Sequence, residues 1–341
     1  MLRVHFTGED LVRTRVAETP DPLWETVLSL QMLRARYGGA VFGEWRSRVR
    51  ADLRGGGLSG VVRELLFPLT PDAAYFPDFL TPPEGLLGLD AGIAAVLDTP
   101  APRLRREIGR LEFPGGVPAA VRALAGGDRT VRDDLGAALR AYHDTAVRPY
   151  WPGIRERADA DLAARHLERR VGGIGEVLAG FWPMMTWSPP VLEMSHPVDR
   201  DLHLRGRGLV LVPSRFCWRR PVPVADPALP PTIIYPMRLT AGPGPGGTGR
   251  ADAARGGDGT DTSLARLLGA TRARVLRSTA GGRTTTELAR CAGVSAATAS
   301  GHAGVLREAG LVISRRRANS MVHVLTDLGA ALVHEERRVP A

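Results

Sequence analysis

Three consecutive arginines, Arg315, Arg316 and Arg317, follow shortly after a polar stretch that holds Ser300 and His302. Guanidinium groups are well matched to phosphate oxygens, and short hydroxyl or imidazole side chains on an exposed helix can reach phosphates or base edges. A charge run is commonly no more than a solvated face. Here it falls between two apolar runs, on what reads as the outgoing strand and tip of a hairpin, so phosphate or minor-groove contact is the sharper expectation. Two other groupings could move protons: His143 with Asp144, and His196 with Asp199, Asp201 and His203. No Gly-x-Ser-x-Gly, His-Glu-x-x-His or Walker pattern accompanies them. Gly172-Gly-Ile-Gly175 and Gly206-x-Gly208 lack the full phosphate-loop fingerprint and read better as loop punctuation. An enzyme is not expected.

The elements that must position the first set are legible around it. Thr284-Thr-Thr-Glu287 has the form of a capping box, with Leu288 and Ala289 starting a short helix behind it. Gly293 supplies the left-handed backbone that a tight turn needs, and Ser295 reads as the N-cap of a second helix over 296–309. Ala299, Ala303 and Leu306 form its buried stripe, and Gly310 stops it. Upstream, Leu264, Leu267 and Leu268 start a helical face that Val275 and Leu276 resume. Downstream, 311–325 reads as two short strands around a polar tip. A closing helix follows over 327–337, with Asp327 as N-cap and Leu328, Ala331 and Leu332 on one face. Helix, glycine turn, helix and hairpin make a winged helix-turn-helix pattern. The candidate DNA-contacting residues are Thr284; Ser295, Ala296, Ala297, Thr298, Ser300, Gly301 and His302; and Arg315, Arg316, Arg317 and Asn319. Ala296, Ala297 and Gly301 stand where long polar side chains would read bases, so specificity should lean on duplex shape and half-site spacing.

Charge agrees with this placement. The chain has 341 residues and a net charge of +9; residues 263–341 carry 12 Arg against 5 Asp and Glu. The remaining 262 residues are close to neutral. All Phe, Tyr and Trp precede residue 240, which argues against a C-terminal surface that stacks single-stranded bases. At 44% hydrophobic and 24% charged, the chain has enough apolar surface to fold. Its longest uncharged stretch, 177–192, is too short and too proline-rich to span a bilayer. No secretory leader is expected from the first residues. Cys217 and Cys291 are the only cysteines, which suits a reducing cytoplasm.

Residues 241–262 hold eight Gly and no large apolar side chain. They are expected to form a flexible linker between an N-terminal domain, 1–240, and the DNA-binding domain, 263–341. The N-terminal domain reads as mostly helical to about residue 182: an amphipathic stretch opened by Asp21-Pro22, then helices near 58–67, 86–97, 103–111, 131–147 and 154–171. Short extended runs at 191–194, 209–212 and 232–235, with prolines around them, predict a small antiparallel sheet. The expected class is thus α+β. Tyr150, Trp151, Trp182, Trp187 and Trp218 read as core, although an aromatic-lined pocket is the default place for a small-molecule effector.

Several of these residues also carry a resemblance. Thr286-Glu-Leu-Ala289, Val294-Ser295, Ser300-x-His302, Val305-Leu-Arg-Glu-Ala-Gly-Leu-Val312 and Leu325-Thr-x-Leu-Gly329 resemble the arsenical-resistance-repressor (ArsR) family of bacterial winged-helix regulators. Phe6-Thr-Gly-Glu-Asp-Leu, Asp21-Pro-Leu-Trp-Glu, Tyr75-Phe-Pro-Asp-Phe-Leu and Arg207-Gly-Leu-Val-Leu-Val-Pro-Ser214 are similar to an actinobacterial subgroup with a long N-terminal domain. The resemblance implies a ligand-responsive, homodimeric transcription regulator that binds a double-stranded operator. The metal-sensing pattern is missing: Cys291 stands alone, and His323, Asp327 and His334 do not make a set, so neither a metal nor a cofactor is expected. The competing readings are an enzyme of unknown reaction, or an interaction scaffold, with an appended DNA-binding module.

Overall fold

The computed structural model describes residues 1–71, 75–218, 220–237, 262–279, 282–317, 320–326, 328–329 and 332–333. The chain divides into two compact units, Met1–Met237 and Arg238–Ala341. The linker expected over 241–262 lies, but for Thr262, outside the described residues.

The first unit is helical with small sheets. Strand β1 (Leu2–His5), helix α1 (Gly8–Arg13) and strand β2 (Arg15–Val16) precede α2 (Pro22–Arg34) and α3 (Gly39–Gly55). Short helices α4 (Ser59–Val61) and α5 (Phe67–Leu69) flank a π-helical turn at Val62–Leu66. Then come α6 (Leu89–Leu97), α7 (Ala101–Ile108), α8 (Ala119–Gly126), α9 (Arg129–Ala146) and the long α10 (Trp151–Ala179). Asp21 caps α2, accepting from the N–H groups of Leu23 at 2.8 Å and Trp24 at 3.0 Å, with Pro22 in the first turn where its missing N–H costs nothing. The expected amphipathic α2 is instead buried on nearly every side, as a central helix must be. In α10, Gly172 and Gly173 leave helical geometry, so the glycine cluster does act as punctuation.

Strands β3 (Met185–Ser188), β4 (Val191–Met194), β5 (Arg200–His203), β6 (Val210–Ser214), β7 (Val222–Pro223) and β8 (Thr232–Pro236) complete the unit. They form two four-stranded sheets, ordered β3-β4-β1-β5 and β2-β6-β8-β7. The antiparallel expectation needs correction here. β1 runs antiparallel to β4 but parallel to β5, and β6 is parallel to both β2 and β8. The reason lies in the burial: Val212 and Ile234 join a helical core with Trp24, Leu28, Phe42 and Tyr142. Their neighbours Leu211, Ile233 and Tyr235 join a second core with Val4, Phe181 and Leu192. Strands covered on both faces read as continuous apolar runs, which is how parallel strands read.

Glu25, one turn along α2 from Asp21, fastens the helix to the end of β6. Its buried carboxylate accepts from Ser214 Oγ at 3.1 Å and from the N–H groups of Arg215 at 2.7 Å and Phe216 at 3.0 Å. Burial pushes Glu25 and Asp21 up to about 7. Unfolded, both would lose their protons near pH 4, so across about pH 4.5–7 the unfolded chain holds fewer protons and stability falls as pH rises. All six Trp lie in this unit, so Trp emission reports its melting. Subtracting the melting curve of Glu25→Gln from that of the native chain, pH by pH, should recover a falling contribution over that window. A flat difference would mean the carboxylate is solvated.

The second unit begins with α11 (Thr262–Leu268) and α12 (Ala270–Ser278), parted by Gly269 at φ 85°. Leu264 is buried and Leu268 partly so, but Leu267 is exposed and leaves the face on which the spacing placed it. Strand β9 (Arg283–Thr284), helices α13 (Thr285–Ala292) and α14 (Ala296–Glu308), and strands β10 (Val312–Arg317) and β11 (Ser320–Leu325) follow. The strands make an antiparallel sheet, β10-β11-β9. Val275, Leu276, Leu288, Ala299, Leu306 and Leu311 fill a small core. Of the closing helix, Asp327 and Ala331 lie outside the described residues; 328–329 and 332–333 are helical, and Leu332 packs on the core.

Candidate nucleic-acid interface

The local sequence sets each piece of this surface. Thr284 opens α13 through a capping box: its hydroxyl accepts from the Glu287 N–H at 3.3 Å, while Glu287 Oε2 accepts from the Thr284 N–H at 2.8 Å and hydroxyl at 2.9 Å. The Thr284 N–H holds the Glu287 carboxyl below its ordinary range. Gly293, at φ 64°, ends α13 in the left-handed region that disfavours other residues. Ser295 then caps α14, accepting from the Thr298 N–H at 3.1 Å. Ala299, Ala303 and Leu306 are the buried stripe of α14. Gly310, at φ 70°, follows the helix before the chain enters β10.

That burial turns the remaining residues outward. Ser295, Ala296, Ala297, Thr298, Ser300 and Gly301 are exposed, and His302 is half-buried. Ser295 Oγ and Thr298 Oγ1 lie 2.8 Å apart and satisfy one another. Thr284 is half-buried and engaged in its cap. A Cβ built on Gly301 or Gly304 would meet nothing within 4 Å, so the fold itself does not require glycine at either position.

The wing stands beside this helix. Arg315, Arg316 and Arg317 pair along β10 with Val322, Met321 and Ser320 of β11. Arg316 is exposed; the side chains of Arg315 and Arg317, and all of Asn319, lie outside the described residues. Arg290 and Arg307 add exposed positive charge on α13 and α14.

Sequence reasoning missed the residue that ties wing to helix. His323, buried on β11, bonds through Nε2 with Thr285 Oγ1 at 2.9 Å and through Nδ1 with Ser314 Oγ at 2.8 Å. Burial, aided by nearby Arg307, holds its imidazole below the ordinary histidine value. Strand alternation was the available signal, since 323 falls on the inward side of β11. Cys291 is exposed and receives a hydrogen bond from Arg283.

The acid–base groupings of the first unit separate into dissimilar settings. His143 is buried, 2.9 Å from Thr26 Oγ1, and Asp144 pairs with Arg148. His196 bonds to the Val198 backbone. Asp201 instead gathers Arg3 and His5 from β1, and His5 stacks on His203 at 4.4 Å. Among the described residues, no three His, Cys, Asp or Glu side chains are placed to hold a metal ion.

Among the described residues, no helix is long and apolar enough to cross a membrane. Neither the curated proteins nor the solved structures yield a match to this chain. A family model described as a helix-turn-helix domain matches residues 267–315, which run from the end of α11 to the middle of the first wing strand. The C-terminal unit carries a helix-turn-helix domain.

Proposed function

We propose that the chain is a DNA-binding transcription regulator of the ArsR type, acting in the cytoplasm as a homodimer on a double-stranded operator. In this reading the N-terminal unit binds a small-molecule effector rather than catalysing a reaction. The observation that carries the proposal is the outward face of α14 beside the exposed Arg316 of the wing, within the most basic part of the chain. A helix of this width enters a major groove, and wing cations meet phosphate or the adjacent minor groove.

The test is to select bound sites from genomic fragments with the purified protein at several salt concentrations, and to repeat the selection with candidate metabolites. Failure to enrich any site at moderate salt would defeat the reading. Two substitutions then separate the roles. Arg316→Ala should weaken binding to operator and scrambled duplex alike, and flatten the salt dependence by about one phosphate contact. Ser300→Ala should cost on the order of 1 kcal/mol on the operator only, with the salt dependence unchanged.

A further inference from the structure

We infer that α10 pairs with α10 of a second copy of this chain, antiparallel, along the flank formed by Ala160, Ala164, Leu167 and Val171. The inference takes from the reading above only that the protein is a homodimer, and does not require DNA binding.

The flank is visible in the burial of the helix. Ile154, Ala158, Asp161, Arg165 and Glu168 form the face turned to the unit's interior. Roughly a quarter-turn round the axis, Ala160, Ala164, Leu167 and Val171 are spaced four, three and four apart, the spacing of a coiled-coil seam. Leu167 is 63% exposed and Val171 76%. On the opposite flank Leu162 is half-buried, and Arg155, Asp159, His166 and Arg169 are charged or polar and exposed. A helix that only covers a core carries polar residues on both flanks. Here one flank carries two large exposed apolar side chains, Leu167 and Val171, with Arg157 beside them.

Charge selects the occupant. In an antiparallel pair with Ala160 of one copy over Ala164 of the other, Glu156 of each copy stands beside Arg170 of its mate, so the two-fold makes the contact twice. In a parallel pair the same two residues would be about 21 Å apart along the axis and could not meet. Both are exposed in the single chain. Alanine at the two central positions lets the axes come to the near end of the usual 8–10 Å spacing. Arg157 falls in the seam opposite Leu167 of the mate, where its aliphatic stem lies on the leucine and its head reaches solvent. The straight segment ends at Gly172, so the seam is short. It covers less than the roughly 1,600 Å² of a standard interface, and a dissociation constant in the micromolar range is expected.

Sedimentation of the full chain over a concentration series is the test. The native chain should pass from monomer to dimer. Leu167→Glu should abolish the dimer. Glu156→Arg and Arg170→Glu should each weaken it roughly tenfold by setting like charges together, and the double exchange should restore it. Restoration would show that the single variants were folded. A dimer indifferent to Leu167→Glu and to both charge reversals would leave the homodimer standing and overturn the α10 pairing. A native chain that stays monomeric at every concentration would remove both.

Discussion

Arg165→Ala should destabilise the N-terminal unit by about 3–5 kcal/mol, because it removes the cation that pairs with two buried carboxylates. Arg165 is 1% exposed on α10. It donates to Glu168 Oε2 at 2.9 Å and to Asp161 Oδ1 at 3.4 Å, and its guanidinium lies over the Phe181 ring, 4.0 Å from the centroid. Tyr235 of β8 completes the arrangement, its hydroxyl donating to Asp161 Oδ2 at 2.7 Å. The network therefore joins the long helix to the second sheet through groups that are almost wholly buried. Removing the only cation of this set is far worse than removing an exposed ion pair, worth at most about 1 kcal/mol. The loss corresponds to a melting temperature lower by roughly 6–20 °C for a unit of this size, measurable by Trp emission. Lysine should rescue little, because a point charge reproduces neither the forked hydrogen bonds nor the stacking. Tyr235→Phe should cost only about 1–3 kcal/mol, since Asp161 keeps the arginine. An Arg165→Ala protein that melts within a degree of the native chain would mean that water enters this site.

The other large effect is expected on DNA. Gly301→Glu places a carboxylate on the outward face of α14, which the proposed reading sets in the major groove of the polyanionic duplex. Like charges brought together at an interface cost several kcal/mol, so affinity should fall at least about a hundredfold on every duplex. The fold should tolerate the change, because a Cβ there meets nothing and glycine inside a helix is about 1 kcal/mol worse than alanine. Gly301→Ala should accordingly raise the melting temperature of the C-terminal unit by calorimetry. If Gly301→Glu binds operator as the native chain does, α14 is not the helix in the groove.

What the sequence disclosed and what it withheld divide by range. The cap at Thr284, the turn at Gly293, the cap at Ser295 and the stripe Ala299, Ala303 and Leu306 all follow from residues within a few positions of one another, and all appear as expected. Hydrogen bonds at helix ends are local chemistry. α3 went unread because Gly39, Gly43 and Gly55 interrupt the signal that Val41, Phe42, Trp45, Val49 and Leu53 carry. Strands β1 and β2 were likewise hidden: two to four residues contain too little alternation to announce a strand, and their partners lie near the far end of the unit. Polar groupings were the least legible. His196 looked like the neighbour of Asp201, yet Arg3 and His5 hold that place, because only the parallel pairing of β1 with β5 sets them side by side.

That pairing also bears on how the protein is made. Leu2 lies opposite Met194 on one side and Arg200 on the other, so β1 leaves the ribosome nearly 200 residues ahead of the strands that accept it. At about 5–20 residues per second, the interval is roughly 10–40 s. Throughout it Leu2, Val4 and Phe6, all buried in the finished unit, have no sheet to join. The helices from α2 to α9 have one another as partners once α9 has emerged, since α2 and α3 pack on α9, but both sheets wait for the last strands. The nascent chain thus carries this apolar, unpaired strand throughout the interval, and a holding chaperone has its best opportunity there.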